Sequence, residues 1–250
     1  MPLSLEDWDR RFIHQANWSR ALRDSCNQDF PLSPFSKILE VGSGTGAVAS
    51  TILKPPGSLV IGIDIDLDRL AYSQKKHAQI QHSGANGSSL PFQSGEFDQC
   101  FCHYLLLWVA DPLSVVKEMK RVTRKGGMVF LFSEPDYGGR IDYPDELTII
   151  KEMQIRSLAF QGADPFLGRR LPRLLHVAGL QSIHSGMLAW SGQEAFDEDS
   201  FNSEWEIINS DLSCEISSNQ LQNYQSMDRK AWLEGLRVLF VPVFYGWGTV

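Results

Sequence analysis

The chain has 250 residues, of which 43% are hydrophobic and 21% are charged, the balance of an ordinary globular protein and not of a disordered or fibrous one. Its net charge of −7 argues against nucleic acid as a partner, because binding many phosphates requires clustered Lys and Arg. The densest basic stretch, residues 117–125, falls toward the end of a predicted helix and is interpreted as solvated surface.

The cysteines give no sign of a metal site or a disulfide framework. They form neither a CxxC pair nor a zinc-like spacing with histidine, so reduced core thiols are expected at Cys26, Cys100, Cys102 and Cys214. The opening MPLSLEDWDRRF lacks the basic start and apolar run of a signal peptide, and no run of about twenty apolar residues predicts a membrane span. We therefore expect a cytoplasmic protein.

Strands and helices are predicted to alternate through the first half of the chain. Residues 5–24 have the apolar spacing of an amphipathic helix. There follow KILEV as a strand, GSGTG as a turn, AVASTIL as a helix, SLVIGID as a strand, LDRLAYSQKKHA as a helix, IQHSG as a weak strand, FDQCFCHYLLLW as a strand running into a loop, DPLSVVKEMKRVT as a helix, RKGG as a turn and MVFLFS as a strand. Such alternation predicts a parallel, doubly wound sheet.

The pattern loosens beyond residue 133. We predict helices over about 145–160 and 167–177, late strands over 181–190 and 238–247, and an acidic helical segment over about 193–235. These helices are interpreted as additions over the sheet.

The turn between the first strand and helix carries the clearest chemical signal. Gly42, Gly44 and Gly46 permit positive φ and close approach of a ligand at the edge where such sheets bind one. Gly42, Gly44 and Ala47 also satisfy the dinucleotide fingerprint, so the glycines alone leave a nicotinamide cofactor open. Asp64 ends the second strand, where its carboxylate is expected to accept bonds from ribose hydroxyls or to cap the next helix.

Five pieces in order carry a family resemblance: the ExGxGxG turn, the acid after the second strand, then GANGSSLPF, GEFDQCFCHYLLLWV and RKGGMVFLFSEP. Together they resemble class I S-adenosylmethionine-dependent methyltransferases, nearest to the small-molecule enzymes of ubiquinone and menaquinone biosynthesis, over roughly residues 36–135. The resemblance implies a Rossmann-like, doubly wound, mostly parallel seven-stranded sheet with a late antiparallel strand. It also implies S-adenosylmethionine as cofactor and a small molecule as methyl acceptor.

The resemblance assigns the cofactor contacts residue by residue. It gives the methionine end to Glu40 and the backbone of Gly42, Ser43, Gly44 and Gly46, the ribose to Asp64, the adenine face to Ile65, an adenine ring nitrogen to the Gly87 amide, the adenine amino group to Asn86, and the cofactor's amino group to the carbonyls of His103 and Tyr104. Asn86 departs from the Asp that is usual in the family, which predicts weakened binding, since an amide lacks the charge of a carboxylate.

Candidates for a general base are His103, Glu134, Asp136 and Tyr137, which stand at the ends of predicted strands. A lone histidine there is also read as a packed residue. Arg140, Arg169 and Arg170 are candidates to hold an acceptor's carboxylate or phosphate, with solvated surface as the alternative. CHYLLLW replaces the NPPY-type signature of amino-group methylation, so oxygen or carbon acceptors are favoured over nitrogen.

We predict a single domain over 1–250, with 31–135 as the cofactor-binding core and 136–180 and 192–236 as helical additions near the acceptor. Residues 1–30 are expected to form a lid carrying Trp8, Phe12 and Trp18, or else to place these aromatics in an ordinary core. Two rival functions remain: a nicotinamide oxidoreductase, and a catalytically inactive methyltransferase-like binding protein. The oligomeric state is not predicted.

Overall fold

The computed structural model describes residues 4–188, 195–212 and 215–250. In this part of the chain seven strands form one sheet in the order β3-β2-β1-β4-β5-β9-β7. They are β1 (Lys37–Val41), β2 (Leu59–Asp64), β3 (Ile80–Gly84), β4 (Phe97–His103), β5 (Thr123–Pro135), β7 (Gln181–Met187) and β9 (Val243–Thr249). The first five strands pair in parallel, and β9 runs antiparallel to both β5 and β7. The predicted doubly wound, mostly parallel sheet with a late antiparallel strand is confirmed.

Helices cover the sheet and extend beyond its ligand-binding edge. They are α1 (Leu5–Trp18), α2 (Arg20–Asp29), α3 (Leu67–Lys76), α4 (Pro112–Val122), α5 (Thr148–Phe160), α6 (Leu171–Val177), α7 (Glu198–Leu212) and α8 (Ser218–Leu233). A separate two-stranded sheet joins β6 (Ile141–Tyr143) to β8 (Val238–Phe240). Within the described residues we find no helix with the length and apolar character to cross a membrane.

Local sequence explains these elements well, as α4 illustrates. Asp111 accepts a bond from the Ser114 N–H at the start of the helix, and Pro112 occupies the first turn, where no donor is lost. Its buried positions recur at helical spacing and enter a core shared with the central strands. Each large aliphatic side chain buried there contributes about 1.5–3 kcal/mol relative to leaving it in water.

The predicted RKGG turn lies within β5, and three further predicted elements are wrong in detail. The helix over AVASTIL is only a 3₁₀ turn at Ala49–Thr51, because the buried Glu40 carboxylate takes the Ala49 N–H and the chain is extended again at Ile52. The long N-terminal helix is two helices separated at Ser19. The late strand over 238–247 is two strands in different sheets, separated by a stretch that includes Pro242.

The inserted helices share a core of their own. Ile150 and Met153 of α5 pack with Phe201, Trp205 and Ile208 of α7. A polar contact also holds α7 against α8, because the Trp205 indole N–H donates a hydrogen bond to Asp228 at 2.8 Å. The predicted additions are helical in most of their described parts, but the first also contains β6, and residues 189–194 and 213–214 lie outside the description. Cys26, Cys100 and Cys102 are buried and free, and Cys214 lies outside the described residues.

Candidate functional site

The order of the strands reverses between β1 and β4, so a crevice is expected outside their carboxyl ends. The turn after β1 lies there, with φ of 75° at Gly42, 50° at Gly44 and 80° at Gly46. A Cβ at Gly42 would lie 2.6 Å from Leu105 Cδ1, and one at Gly46 would overlap the Ser73 hydroxyl. The first and third glycines are therefore required by packing, and Gly44 is the one that faces the crevice.

Asp64 fastens this turn from the end of β2. Its Oδ2 accepts a bond from the Gly44 N–H at 2.8 Å, and its Oδ1 accepts one from the Asp66 N–H at 2.9 Å. The alternative that Asp64 caps the next helix is wrong, because Asp66 does so by accepting from two amides of the first turn. An ionised carboxylate has about four acceptor positions, so Asp64 keeps two for ligand hydroxyls.

Glu40 and Ser43 support the turn from behind. The Glu40 side chain is 2% exposed and accepts from the Ala49 N–H at 2.9 Å. Burial raises its pKa to about 8, although the charge of the nearby Arg23 works in the opposite direction. Ser43 is buried, and its N–H donates to the Ile63 carbonyl. Direct contact of either side chain with a ligand stays a prediction.

The residues predicted to contact the adenine differ in whether the structure leaves them available to a ligand. Ile65 follows Asp64 and is 74% exposed, so its side chain is open to contact with a ligand. The Gly87 N–H has no acceptor in the described part of the chain. The Asn86 oxygen, by contrast, accepts from both the backbone and the hydroxyl of Ser88, so the predicted bond to an adenine amino group would require this turn to open.

His103 is packed into the fold and not presented to a substrate. Its Nε2 lies 2.9 Å from the Ser19 hydroxyl, and the ring is buried. Burial, followed by the charge of Arg23, lowers the pKa of His103 to about 3. The interpretation as a hydrogen-bonded core histidine describes this arrangement better than that of a general base.

The two acidic candidates for a general base, Glu134 and Asp136, are also bound by groups of the chain itself. Glu134 is 0% exposed and accepts the N–H groups of Leu105, Leu106 and Leu107 at 2.8–3.2 Å, closing the 3₁₀ turn after β4. Burial raises the pKa of Glu134 to about 7, and these three bonds oppose that rise. Asp136 is buried and bound by the Arg169 side chain. Sequence reasoning placed both acids at the right edge but could not foresee these partners.

The three arginines offered for an acceptor each bind a carboxylate of the chain itself. Arg140 pairs with Asp142 at 2.7 Å, Arg169 with Asp136, and Arg170 with Asp164. Arg140 also donates to Gln154, so its guanidinium is buried and satisfied. An acceptor clamp at these positions is therefore not supported by the structure.

Helix α1 lies over the glycine turn. A Cβ at Gly44 would lie 3.4 Å from the ring of Phe12, and the guanidiniums of Arg11 and Arg69 lie 5.0 and 5.3 Å from the centroid of the Trp8 ring. Trp18, which the sequence grouped with them, is 49% exposed and packs edge-on against His14 instead.

Comparison with known proteins identifies the central part of the fold. Residues 39–131, which carry the turn, Asp64, Gly87 and His103, match the family model described as a methyltransferase domain. The chain contains a class I S-adenosylmethionine-dependent methyltransferase domain. The nicotinamide alternative is not supported by this match, and S-adenosylmethionine is the cofactor of the class.

Curated relatives of this methyltransferase domain cover part of the chain. An uncharacterized methyltransferase of Schizosaccharomyces pombe is 30% identical over 172 residues, which are 62% of this chain and 60% of the relative. A demethylmenaquinone methyltransferase of Mycolicibacterium gilvum is 32% identical over 123 residues, 48% of this chain and 51% of that one. The chain thus spans little more than half the length of these relatives.

Solved methyltransferase structures share the fold over most of the chain. A Galdieria sulphuraria protein described as a putative sarcosine dimethylglycine methyltransferase superposes with a TM-score of 0.57 at 15% identity, covering 91% of this chain and 84% of its own. A Haemonchus contortus phosphoethanolamine N-methyltransferase, bound to phosphomonomethylethanolamine and S-adenosylhomocysteine, gives 0.59 at 15% identity, covering 92% and 52%. At this identity the likeness establishes the fold alone.

Proposed function

We propose that this chain transfers the methyl group of S-adenosylmethionine to an oxygen or carbon atom of a small-molecule acceptor. The observation that carries the proposal is the joint placement of Asp64 and the glycine turn at the switch point of the sheet, inside the matched methyltransferase domain. Such a turn brings backbone donors close to a ligand, and the acid beside it suits ribose hydroxyls.

The described residues fit that cofactor. Asp64 retains acceptor positions for the ribose, the Gly87 N–H is free for an adenine ring nitrogen, and the exposed Ile65 offers an apolar surface to the adenine face. Burying that side chain under an aromatic base would remove apolar area from water at roughly 25 cal/mol per Å². Glu40 and residues 42–46 would surround the methionine end.

The bound cofactor would supply an electrophilic methyl group on a sulfonium. The chain's part is to align the acceptor, and orientation alone is capable of lowering the barrier by about 7–11 kcal/mol. Phe12 and Trp8 above the turn would help to exclude water, which favours the reaction most when the acceptor atom is anionic and charge disappears. His103, Glu134 and Asp136 are held by the fold, so we assign none of them the role of a base.

Oxygen or carbon is proposed as the accepting atom because residues 102–108, CHYLLLW, replace the signature of amino-group methylation. A relative named malonyl-acyl-carrier protein O-methyltransferase supports oxygen as the acceptor atom, and a relative named demethylmenaquinone methyltransferase supports a small molecule as the acceptor. We further propose that residues 1–30 cover the site and that the additions at 136–180 and 192–236 wall the acceptor. The contact of Phe12 with the turn supports the first of these assignments.

Binding and turnover test the proposal in two steps. The full chain is first titrated with S-adenosylhomocysteine and, separately, with NADH while thermal unfolding is followed. A ligand at 100 times its Kd stabilises the fold by about 2.7 kcal/mol, so the former is expected to raise the melting temperature and the latter to leave it unchanged. A shift with NADH alone would overturn the proposal.

Transfer from methyl-labelled S-adenosylmethionine to a panel of quinols, phenols and carboxylic acids then tests catalysis. Label in an organic product, with equimolar S-adenosylhomocysteine, is the expected result. If the cofactor binds but no label is transferred, either to the panel or to the small metabolites of a cell lysate, the inactive binding protein is favoured instead.

A further inference from the structure

Arg23 of α2 differs from the other arginines that are buried in the described part of the chain. Arg140 and Arg237 each pair with an aspartate at 2.7 Å. Arg23 is only 3% exposed, yet within the described residues no carboxylate lies at ion-pair distance from its guanidinium. Burying a cation without a partner charge is costly, so the hydrogen bonds that Arg23 makes have to account for its place in the fold.

Each nitrogen of the Arg23 guanidinium donates a hydrogen bond to the chain. Nη2 donates to the Ala16 carbonyl at 2.7 Å, Nε to the Ser19 hydroxyl at 3.2 Å and Nη1 to the Thr51 hydroxyl at 3.0 Å. The first two acceptors lie at the end of α1 and at its junction with α2, and the third ends the 3₁₀ turn Ala49–Thr51. One buried side chain thus joins the N-terminal helices to the segment that follows the glycine turn.

The turn that Arg23 binds is also the turn that binds Glu40. The Ala49 N–H donates to Glu40 Oε2 at 2.9 Å, and the Thr51 hydroxyl donates in turn to the Val48 carbonyl at 2.8 Å. Arg23 and Glu40 therefore hold the same three residues, one at the last residue and the other at the first. A displacement of this turn would move the group that fixes the Glu40 carboxylate.

A second set of hydrogen bonds leads from Arg23 to the end of β4. The Ser19 hydroxyl, which accepts from Arg23 Nε, lies 2.9 Å from Nε2 of His103. The family resemblance assigns the methionine end of the cofactor to Glu40 and its amino group to the carbonyl of His103. Both residues are thus connected to the Arg23 guanidinium by short series of hydrogen bonds.

The predicted ribose acid belongs to a separate set of contacts. Asp64 accepts from the N–H groups of Gly44 and Asp66. In the described part of the chain, these bonds share no residue with those that Arg23 makes. A change at Arg23 is therefore expected to act on one end of the cofactor site and not on the other.

We infer that Arg23 is a positioning residue for the methionine end of the cofactor, because it holds Glu40 through Thr51 and His103 through Ser19. The inference deepens the proposed function and rests on it for the identity of the ligand. Arg23 does not bind the cofactor itself, since it is buried and each of its nitrogens donates to the chain.

The test compares two ligands on the full chain by isothermal titration calorimetry. S-adenosylhomocysteine has the methionine end, whereas 5′-methylthioadenosine keeps the adenosine and the sulfur but lacks the amino-acid part. The variants are Arg23→Gln and Thr51→Val, and the second keeps the test in hand if the first does not fold. Arg20→Gln, at an exposed position of α2, and Ser50→Ala, inside the same 3₁₀ turn, are the matched controls.

R23Q and T51V are each expected to bind S-adenosylhomocysteine about tenfold more weakly than wild type, since the turn that fixes Glu40 loses a hydrogen bond from a charged donor. Both should bind 5′-methylthioadenosine as wild type does, and R20Q and S50A should match wild type with both ligands. Without any ligand, hydrogen exchange of the Ala49 amide, followed by NMR, should be faster in T51V, whereas exchange of the Gly44 amide should not change.

Three results would overturn the inference: affinity of T51V for S-adenosylhomocysteine equal to that of wild type, an equal loss of affinity for both ligands, or unchanged exchange at Ala49. An equal loss would mean that Arg23 and Thr51 support the fold in general. Failure of the proposed function is a different result, because it would show in wild type as no binding of S-adenosylhomocysteine.

Discussion

The ring of Phe12 lies directly over Gly44, at van der Waals distance from the position that a Cβ there would occupy. Helix α1 therefore covers the crevice-facing glycine of the turn. An ion pair between Asp9 and Lys76 and the stacking of Arg69 on Trp8 hold α1 against α3. We therefore expect a ligand bound at the turn to lie next to α1.

Phe12→Ala is accordingly expected to speed the release of S-adenosylhomocysteine, by roughly threefold to tenfold, because most affinity changes within one interface appear in the dissociation rate. Stopped-flow displacement measures it. Trp18→Ala is the control, since Trp18 packs on His14 and not over the turn. Equal dissociation rates for wild type and the Phe12 variant would mean that α1 does not cover the bound cofactor.

Removing residues 1–30 altogether would be a poor test of the same idea. The buried Arg23 of α2 donates to Thr51 and to the Ala16 carbonyl, and Cys26 packs into the core beside β1. Deletion would expose that core, so loss of activity would report unfolding as readily as loss of a lid.

Asp64→Ala is expected to weaken S-adenosylhomocysteine binding about 100-fold, since charge-assisted hydrogen bonds contribute about 1.5–3 kcal/mol each. The affinity of Asp64→Asn should lie between those of Asp64→Ala and wild type, because the asparagine side chain keeps one acceptor oxygen. Isothermal titration calorimetry measures both. Glu152→Gln, at an exposed acid on α5, should bind like wild type. An Asp64→Ala variant with wild-type affinity would remove the ribose role.

Glu134→Ala should destabilise the fold by about 3–5 kcal/mol, because three buried N–H groups lose their acceptor. Urea unfolding measures the loss, and Glu152→Gln should show none. Turnover per folded molecule is expected to stay within a few fold of wild type. If Glu134 were a general base, turnover would instead fall by about 100-fold or more with a changed pH profile.

The lowered pKa of His103 predicts how the free energy of unfolding depends on pH. Its pKa in the folded state is about 3, below the usual 6.5, so between these values the unfolded chain binds a proton that the folded chain does not. The contribution of His103 to the free energy of unfolding is therefore fully present above pH 6.5. It decreases as the pH falls below this value, by about 1.4 kcal/mol at pH 5.5. His103→Asn should lose less between pH 8 and 5.5, measured by urea unfolding, whereas His176→Asn, at an exposed position, should match wild type. Identical slopes for wild type and the His103 variant would contradict this origin.

The sequence predicted the central sheet because its strands are short apolar runs separated by clear turn signals, and KILEV and SLVIGID needed no further information. It also located the glycine turn and Asp64, since the motif itself carries the geometry. It could not show that Glu134 would meet the amides of residues 105–107, or that Arg169 would close on Asp136. Such partners are set by tertiary contacts between distant segments. The 3₁₀ turn at Ala49–Thr51 was missed for a more local reason, since it depends on a buried side chain, Glu40, only nine residues earlier.

The placement of β9 has a consequence for how the molecule forms. This strand comes late in the sequence, yet it lies between β5 and β7 in the sheet. During synthesis β7 has no partner in this sheet until β9 emerges, so both edges that β9 later covers stay open in the nascent chain. Such delayed, non-local pairing slows folding and leaves β5 and β7 exposed to association with other chains in the interval.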